Sequence, residues 1–61
     1  MRKVRLRIKK VYYEDGSICC WAFGIHVRGL GQLYYSCGHR TFGRAKKAGQ
    51  RMRDFYKKEF A

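Results

Sequence analysis

Residues 18–27 read ICCWAFGIHV, and this stretch carries a different pattern on each of its two faces. Its bulky apolar residues recur at every second position, as Trp21, Phe23, Ile25 and Val27. Successive side chains of a β-strand point to opposite faces, so this spacing predicts a strand that buries one face. The other face is predicted to be low in relief. It carries Cys20, Ala22, Gly24 and His26.

The preceding stretch predicts a first strand with one basic face. Apolar and basic side chains alternate over residues 4–9, which is typical of a half-buried strand. The apolar set is Val4, Leu6 and Ile8, and the basic set is Arg5, Arg7 and Lys9. The alternation blurs over residues 9–13, where a bulge would shift the parity. Residues 14–17, Glu-Asp-Gly-Ser, predict a hairpin turn, because Asp-Gly tolerates the positive φ of tight turns.

A third strand is predicted after a glycine-containing turn at residues 28–32. It covers residues 33–37, and its side chains alternate between the two faces of the sheet. One side carries Leu33, Tyr35 and Cys37, and the other carries Tyr34 and Ser36. We expect Tyr35 to be buried and Tyr34 to lie on the open face.

The hydrophobic period changes from that of a strand to that of a helix in the last third of the chain. The apolar stripe consists of Ala45, Ala48, Met52, Phe55, Tyr56 and Phe60. Its spacing predicts one amphipathic helix from about Arg44 to Phe60. Thr41 or Gly43 is the expected N-cap. Gly49 costs roughly 1 kcal/mol relative to Ala inside a helix, and it would permit a close approach to the sheet.

Together these elements predict a single α+β domain over residues 1–61. A three-stranded antiparallel sheet is expected to pack against one C-terminal helix, in the order β-β-β-α, with the other sheet face open. The expected core is Val4, Leu6, Ile8, Trp21, Phe23, Ile25, Tyr35, Met52 and Phe55. A chain of 61 residues buries only about 60% of its unfolded surface, which leaves room for a binding module and hardly any for an enzyme.

The charge is strongly basic and unevenly distributed. Fifteen Lys and Arg stand against four Asp and Glu, for a formal net charge of +11. The excess lies in residues 1–10 and 44–61, and the residues between them carry no net charge. An excess of one sign repels itself unless a polyanion compensates it. Nucleic acid is the commonest intracellular polyanion, so it is the expected partner.

Other classes of function find little support in the sequence. No apolar run approaches the roughly 18 residues of a membrane span, so no membrane partner is expected. Three cysteines, two of them adjacent, do not form a disulfide framework and indicate a reducing, cytoplasmic setting. Cys19 and Cys20 would point to opposite faces of a strand, so no metal or other cofactor is expected. No Ser or Cys has a recognisable base, so neither a catalytic residue nor an enzyme is expected.

Two groups of basic and polar residues are predicted to contact nucleic acid. The first group would hold phosphates and fix the register: Arg2, Lys3, Arg40, Arg44 and Lys47. The second group would read or sense the groove from the open face: Arg5, Arg7, Lys9, His26 and Tyr34. Like charges on one strand face repel each other without a partner, and free N–H groups at a helix start favour phosphate.

The order of these elements resembles the N-terminal arm-binding domain of tyrosine-family phage and transposon integrases, also called AP2-like. The likeness is carried by Trp21, by Tyr34-Tyr35-Ser36 and by TFGRAKKA at residues 41–48, and it spans nearly the whole chain. The resemblance implies that the sheet enters the major groove of duplex DNA while the helix backs it. It further implies an accessory or recombination role in a phage or mobile element.

Two alternatives remain open. A phage-type interaction protein or inhibitor would dock the same basic face on an acidic host protein. An RNA-binding module is the other alternative, because exposed Tyr and His side chains stack on unpaired bases. The DNA-binding interpretation places the protein in the cytoplasm, at the nucleoid if it is bacterial or phage-encoded, and it is compatible with a protein partner in a nucleoprotein complex.

Overall fold

The computed structural model describes residues 2–60 and contains three strands followed by one helix. The strands are β1 (Val4–Tyr12), β2 (Ile18–Val27) and β3 (Gly31–His39), and the helix is α1 (Phe42–Glu59). Both pairs of neighbouring strands are antiparallel, and the sheet order is β1-β2-β3. The predicted β-β-β-α architecture is confirmed. Residues 1 and 61 of the predicted domain lie outside the described range.

The helix-facing side of the central strand β2 forms the core. Phe23, Ile25 and Val27 are 2%, 0% and 1% exposed, and Val4 of β1 completes their buried cluster. Partly buried side chains from the other elements pack around it: Leu6, Ile8, Tyr34, Ala48, Met52, Tyr56 and Phe60. Full burial of a large apolar side chain contributes roughly 1.5–3 kcal/mol. The three cysteines are free, so no disulfide stabilises the fold. These few apolar contacts therefore provide most of its stability.

The helix approaches the sheet closely because its innermost residues are small. Ala45 and Gly49 are the buried residues of α1. A Cβ atom placed on Gly49 would lie 2.5 Å from Cδ1 and 3.1 Å from Cδ2 of Leu6. Gly49 sacrifices roughly 1 kcal/mol of helix propensity. In return it lets α1 lie so close to the Leu6 side chain of β1 that a Cβ at position 49 would fit only if Leu6 shifted.

The start of the helix is capped by Thr41 and attached to the central strand by an aromatic contact. The backbone N–H of Arg44 donates a hydrogen bond to Thr41 Oγ1 at 3.1 Å. Of the two expected N-caps, Thr41 is therefore the one that caps the helix. The helix α1 begins at Phe42 rather than at Arg44. The Phe42 ring meets Trp21 edge-on with centroids 5.3 Å apart, which places Trp21 on the helix side as predicted. Trp21 is only half-buried and lies outside the core cluster, so its predicted place in the core is wrong.

The faces of the two adjacent tyrosines of β3 are the reverse of the prediction. Tyr34 pairs with Ile25, and its ring stacks on Phe23 with centroids 5.8 Å apart on the helix side. Tyr35 pairs with Gly24 on the open face and is 46% exposed. The predictions of a buried Tyr35 and of a groove-facing Tyr34 are both wrong.

A β-bulge causes this reversal. Ile25 pairs with Tyr34, whereas the next residue of β2, His26, pairs with Gln32. Leu33 is therefore an extra residue in β3, with no partner of its own in the ladder. Each extra residue shifts the alternation of faces by one position. Gln32 consequently lies on the open face, and Leu33 is exposed rather than buried.

A second bulge lies near the end of β3. Phe23 pairs with Ser36 and Trp21 pairs with His39, so β3 again holds one more residue than β2 over this interval. Gly38 lies in the bulge with φ of 92°, a left-handed conformation that favours glycine. The shift brings the His39 ring to 5.3 Å from Phe23, with Nε2 3.0 Å from Ser36 Oγ. Ser36 itself precedes this bulge and lies on the helix side because it pairs with Phe23, contrary to the prediction.

The prediction that Phe55 belongs to the core is also wrong. Its side chain is 51% exposed, and its ring contacts Tyr56 edge-on at 5.3 Å. Successive residues of an α-helix are turned by about 100°, so Phe55 and Tyr56 cannot both face the sheet. Tyr56 packs against the core together with Met52 and Phe60, and Phe55 lies beside this stripe.

The hairpin between β1 and β2 turns where the sequence predicts it. Asp15 Oδ1 accepts hydrogen bonds from the backbone N–H of Ser17 at 2.9 Å and from its hydroxyl at 2.6 Å. Gly16 has φ of 89°, which favours glycine at this turn. The expected parity shift is present too, since the register changes between Val11 and Tyr12.

The tight contact at Gly49 makes a first prediction. Gly49→Leu should destabilise the protein by about 1–3 kcal/mol, because the new side chain collides with Leu6 although Leu is the better helix former. Gly43→Leu is the matched control, since the nearest atom to a Cβ there is Thr41 Oγ1 at 4.0 Å. Urea unfolding followed by circular dichroism measures both. A Gly49→Leu variant at least as stable as the wild type would contradict the packing described.

Candidate nucleic-acid interface

The sheet face opposite α1 is a trough with a low floor and two unlike sides. Ala22 and Gly24 of the central strand form its floor, and both are buried beneath longer neighbouring side chains. The β1 side consists of basic residues: Arg5, Arg7 and Lys9. The β3 side is formed by Gln32 and Tyr35. The shallow middle strand and basic first strand are as predicted, whereas the occupants of the β3 side are not.

One end of the trough is a basic recess of about 490 Å³. Its lining is cationic or glycine apart from one imidazole and one valine: Lys3, Arg5, Arg7, His26, Val27, Arg28, Gly29 and Gly31. His26 pairs directly with Arg5 across the sheet, so the imidazole stands beside the guanidinium row. The sequence-predicted residues Lys3, Arg5, Arg7 and His26 thus meet at one place. This concentration of positive charge suits a phosphate or another anion.

Arg2 is fixed at the edge of this recess. Its Nη1 donates a hydrogen bond to the backbone carbonyl of Arg28 at 2.9 Å. The guanidinium lies against Gly29, where a Cβ would be only 2.6 Å from Nη1. Gly29 has φ of 84°, so both its conformation and the packing of Arg2 favour glycine. The remaining N–H donors of Arg2 stay available to a ligand.

A second recess, of about 480 Å³, lies over the middle of the trough. Arg7 and Tyr35 flank Gly24 from the two neighbouring strands, with which Gly24 pairs. Lys9 Nζ reaches across the floor to 5.7 Å from the centroid of the Tyr35 ring, a cation–π distance. Gln32 also lines this recess and lies directly over Gly24. Charged, amide and aromatic groups therefore converge on this second recess, which we call the notch over Gly24.

The acidic residues lie away from this face. Glu14 and Asp15 belong to the β1–β2 turn, and Asp54 and Glu59 belong to the helix. Among residues 2–60 the only ion pair joins Arg53 and Asp54, with Nε and Oδ1 3.8 Å apart. The Ser17 hydroxyl and backbone N–H lower the pKa of Asp15 by donating to its carboxylate. The guanidinium groups of the trough are consequently free of carboxylate partners within the described range.

The predicted phosphate contacts of the helix start form a separate basic surface. Arg40 follows β3, and Arg44 and Lys47 lie on the first turns of α1, all exposed. Arg44 and Lys47 line two shallow depressions whose other residues all belong to α1 or its N-cap. The structure therefore does not bring them into the trough, and the predicted site separates into a sheet surface and a helix surface.

Cys20 adds no negative charge to the open face of the sheet. Cys19 and Cys37 are exposed and Cys20 is half-buried, all as free thiols. Hydrogen bonding from the Gly38 backbone lowers the pKa of Cys20, but desolvation and the neighbouring Cys19 and Cys37 together outweigh it and raise that pKa. Cys20 is therefore a neutral thiol near neutral pH. No cluster of three or more His, Cys, Asp or Glu able to hold a metal ion occurs within residues 2–60.

Sequence reasoning missed three contributors to the trough. The sequence pattern places Gln32 and Arg28 in a turn and Tyr35 in the core, whereas it places Gly24 correctly on the open face. The one sequence feature that points to Gln32 and Tyr35 is Gly24 of the neighbouring strand β2, because a glycine leaves space above it on the open face. It identifies these two residues only once the bulge at Leu33 is known, since the bulge decides which residues of β3 lie on that face.

Comparisons of this chain with protein families, with curated proteins and with solved structures return no significant match. The resemblance to integrase arm-binding domains thus remains a prediction from the quoted residues. Over residues 2–60, α1 is too polar to serve as a membrane-spanning helix, and no other helix is present.

The reversal of the two tyrosines makes a second prediction. Tyr34→Ala should lower the free energy of unfolding by about 1–3 kcal/mol, because it removes a half-buried ring stacked on Phe23. Tyr35→Ala is the matched control and should cost less than about 1 kcal/mol, because its ring is on the open face. Urea unfolding of both variants measures the difference. A larger loss for Tyr35→Ala than for Tyr34→Ala would contradict the strand register.

Proposed function

We propose that this protein binds duplex DNA and that the trough of its sheet is the docking surface. The observation that carries the proposal is a basic, acid-free face over a shallow floor, with Arg5 and Arg7 unpaired by any carboxylate within residues 2–60. Guanidinium groups held side by side on one strand repel each other. A phosphate backbone relieves that repulsion and releases its condensed counterions on binding.

The dimensions of the sheet favour the major groove. Strands in a sheet lie about 4.8 Å apart, so the backbones of three strands span about 10 Å. The major groove of B-DNA is about 12 Å wide and the minor groove about 6 Å. A-form RNA has a deep and narrow major groove that side chains cannot read. A three-stranded face of this width therefore suits B-form duplex DNA better than duplex RNA.

The two basic surfaces would have different roles in such a complex. Arg2, Lys3 and Arg28, beside the trough, would hold phosphates along the groove wall and fix the register. Base edges would meet the residues nearer the middle, which carry hydrogen-bonding groups over the low floor. Contacts to phosphate position a protein, whereas contacts to base edges carry the sequence information.

The surface formed by Arg40, Arg44 and Lys47 would bind a further phosphate or an adjoining partner. This division of labour is compatible with a nucleoprotein complex. Together with the resemblance to integrase arm-binding domains, it supports an accessory or recombination role in a phage or mobile element. In that role the protein would act in the cytoplasm, at the nucleoid of a bacterial host.

The proposal predicts a strong and local dependence on two arginines. The double variant Arg5→Ala/Arg7→Ala should lose about tenfold or more in affinity for a duplex and flatten the dependence of log affinity on log salt by about 2. Lys57→Ala/Lys58→Ala removes the same charge from exposed positions in the last turn of α1 and is the matched control. Fluorescence anisotropy at several salt concentrations measures both. Equal losses in the two double variants would contradict docking by the sheet.

A competition experiment separates the alternatives. Unlabelled duplex DNA, duplex RNA, single-stranded DNA and single-stranded RNA are compared as competitors for one labelled duplex, and duplex DNA should compete best. NMR shifts on titration should map to Arg5, Arg7, Gly24 and Tyr35. Shifts confined to residues 46–58 would overturn docking by the sheet, and failure to bind any duplex at low salt would overturn DNA binding itself.

A further inference from the structure

The notch over Gly24 contains an amide that is unusually placed. Were Gly24 to carry a Cβ, that atom would lie 2.5 Å from Oε1 and 3.1 Å from Cδ of Gln32. Real Cβ contacts are almost never this short, so the amide occupies the space that a side chain at position 24 would take. The amide of Gln32 therefore lies over the floor of the trough, with the rest of the residue exposed.

The fold places Gln32 there by means of the bulge at Leu33. Without that extra residue, continued alternation from Tyr34, which faces the helix, would turn Gln32 toward the helix as well. Instead Gln32 pairs with His26 and faces the same side as Arg7. The bulge therefore serves two residues at once, because it buries Tyr34 in the core and presents Gln32 on the open face.

The amide of Gln32 is also uncommitted. No hydrogen bond within residues 2–60 uses its carbonyl oxygen or its NH₂ group. Arg7 and Lys9, which line the same notch, have only donors, whereas an amide presents a donor and an acceptor side by side. In the major groove this pairing matches adenine, which offers the N6 amino group as donor and N7 as acceptor.

We propose that Gln32, seated over Gly24 in the trough, is a specificity-determining residue that reads the major-groove edge of an adenine. This inference rests on the proposed function, since it assumes that the trough enters the groove. It adds that binding is sequence-selective at one base pair at least. The basic residues around the notch supply affinity for any duplex, and Gln32 supplies discrimination.

Selection from a library of duplexes with a randomised central window tests this inference. The wild-type protein should select adenine at one position, and Gln32→Ala should lose roughly 5- to 100-fold of the preference there. The loss of affinity should be larger for duplexes that carry this adenine than for random duplex, because the contact removed is to a base and not to a phosphate. Gln50→Ala on α1 is the matched control and should keep the wild-type preference.

Two further variants make the test sharper. Gln32→Glu should move the preference at the same position from adenine to cytosine, because a carboxylate accepts from the cytosine N4 amino group. Gly24→Ala should mimic Gln32→Ala, since the added methyl group displaces the flexible amide while the backbone keeps its place. Circular dichroism melting should show that the Gln32 variants remain folded, because Gln32 is exposed. It should show the same for Gly24→Ala, because the added methyl group meets the movable amide of Gln32 before any backbone atom.

The outcomes distinguish this inference from the function on which it rests. Binding to random duplexes without positional preference would overturn the role of Gln32 and leave DNA binding intact. An adenine preference that persists in both Gln32→Ala and Gln32→Glu would do the same. Failure of the wild-type protein to bind any duplex at low salt would overturn both proposals together.

Discussion

The packing of α1 against the central strand is the contact on which the rest of this structure depends. A chain of 61 residues with a net charge of +11 has little apolar surface to bury and much repulsion to overcome. Phe23, Ile25 and Val27 supply most of the buried volume, and Gly49 lets the helix reach β1. Within residues 2–60 a single helix covers a single face, so the second face of the sheet is left without a layer.

That open face is shaped by what the central strand lacks. Ala22 and Gly24 are too small to fill the space above them, so side chains from both neighbouring strands lean over the floor. Lys9 approaches Tyr35 across it, and Gln32 settles on the glycine. The same strand therefore holds the domain together on one side and forms a recessed, cationic surface on the other. Stability and the proposed binding function are thus connected through one segment of ten residues.

The two bulges of β3 determine which of its residues face the helix and which face the trough. Leu33 and the segment at Gly38 each add one residue without a partner in β2. Between the bulges Tyr34 and Ser36 face the helix. Outside them Gln32 faces the trough, and the His39 ring packs against Phe23. Irregularities of this kind also make an exposed edge strand a poor template for pairing with another chain.

The sequence by itself determined the element order, the buried side of β2 and the basic side of β1, because these follow from the local hydrophobic period, and it narrowed the N-cap to Thr41 or Gly43, of which the structure shows Thr41. Tertiary structure alone decided which of Tyr34 and Tyr35 is buried, and that Phe55 stays outside the core. The physical reason is that a bulge is set by the ladder a strand makes with its neighbour, and a helix face by where the sheet lies. A local sequence pattern shows neither the neighbouring strand of the ladder nor the position of the sheet. The alternation of side chains therefore could not predict that Gln32 and Tyr35 of β3 line the trough.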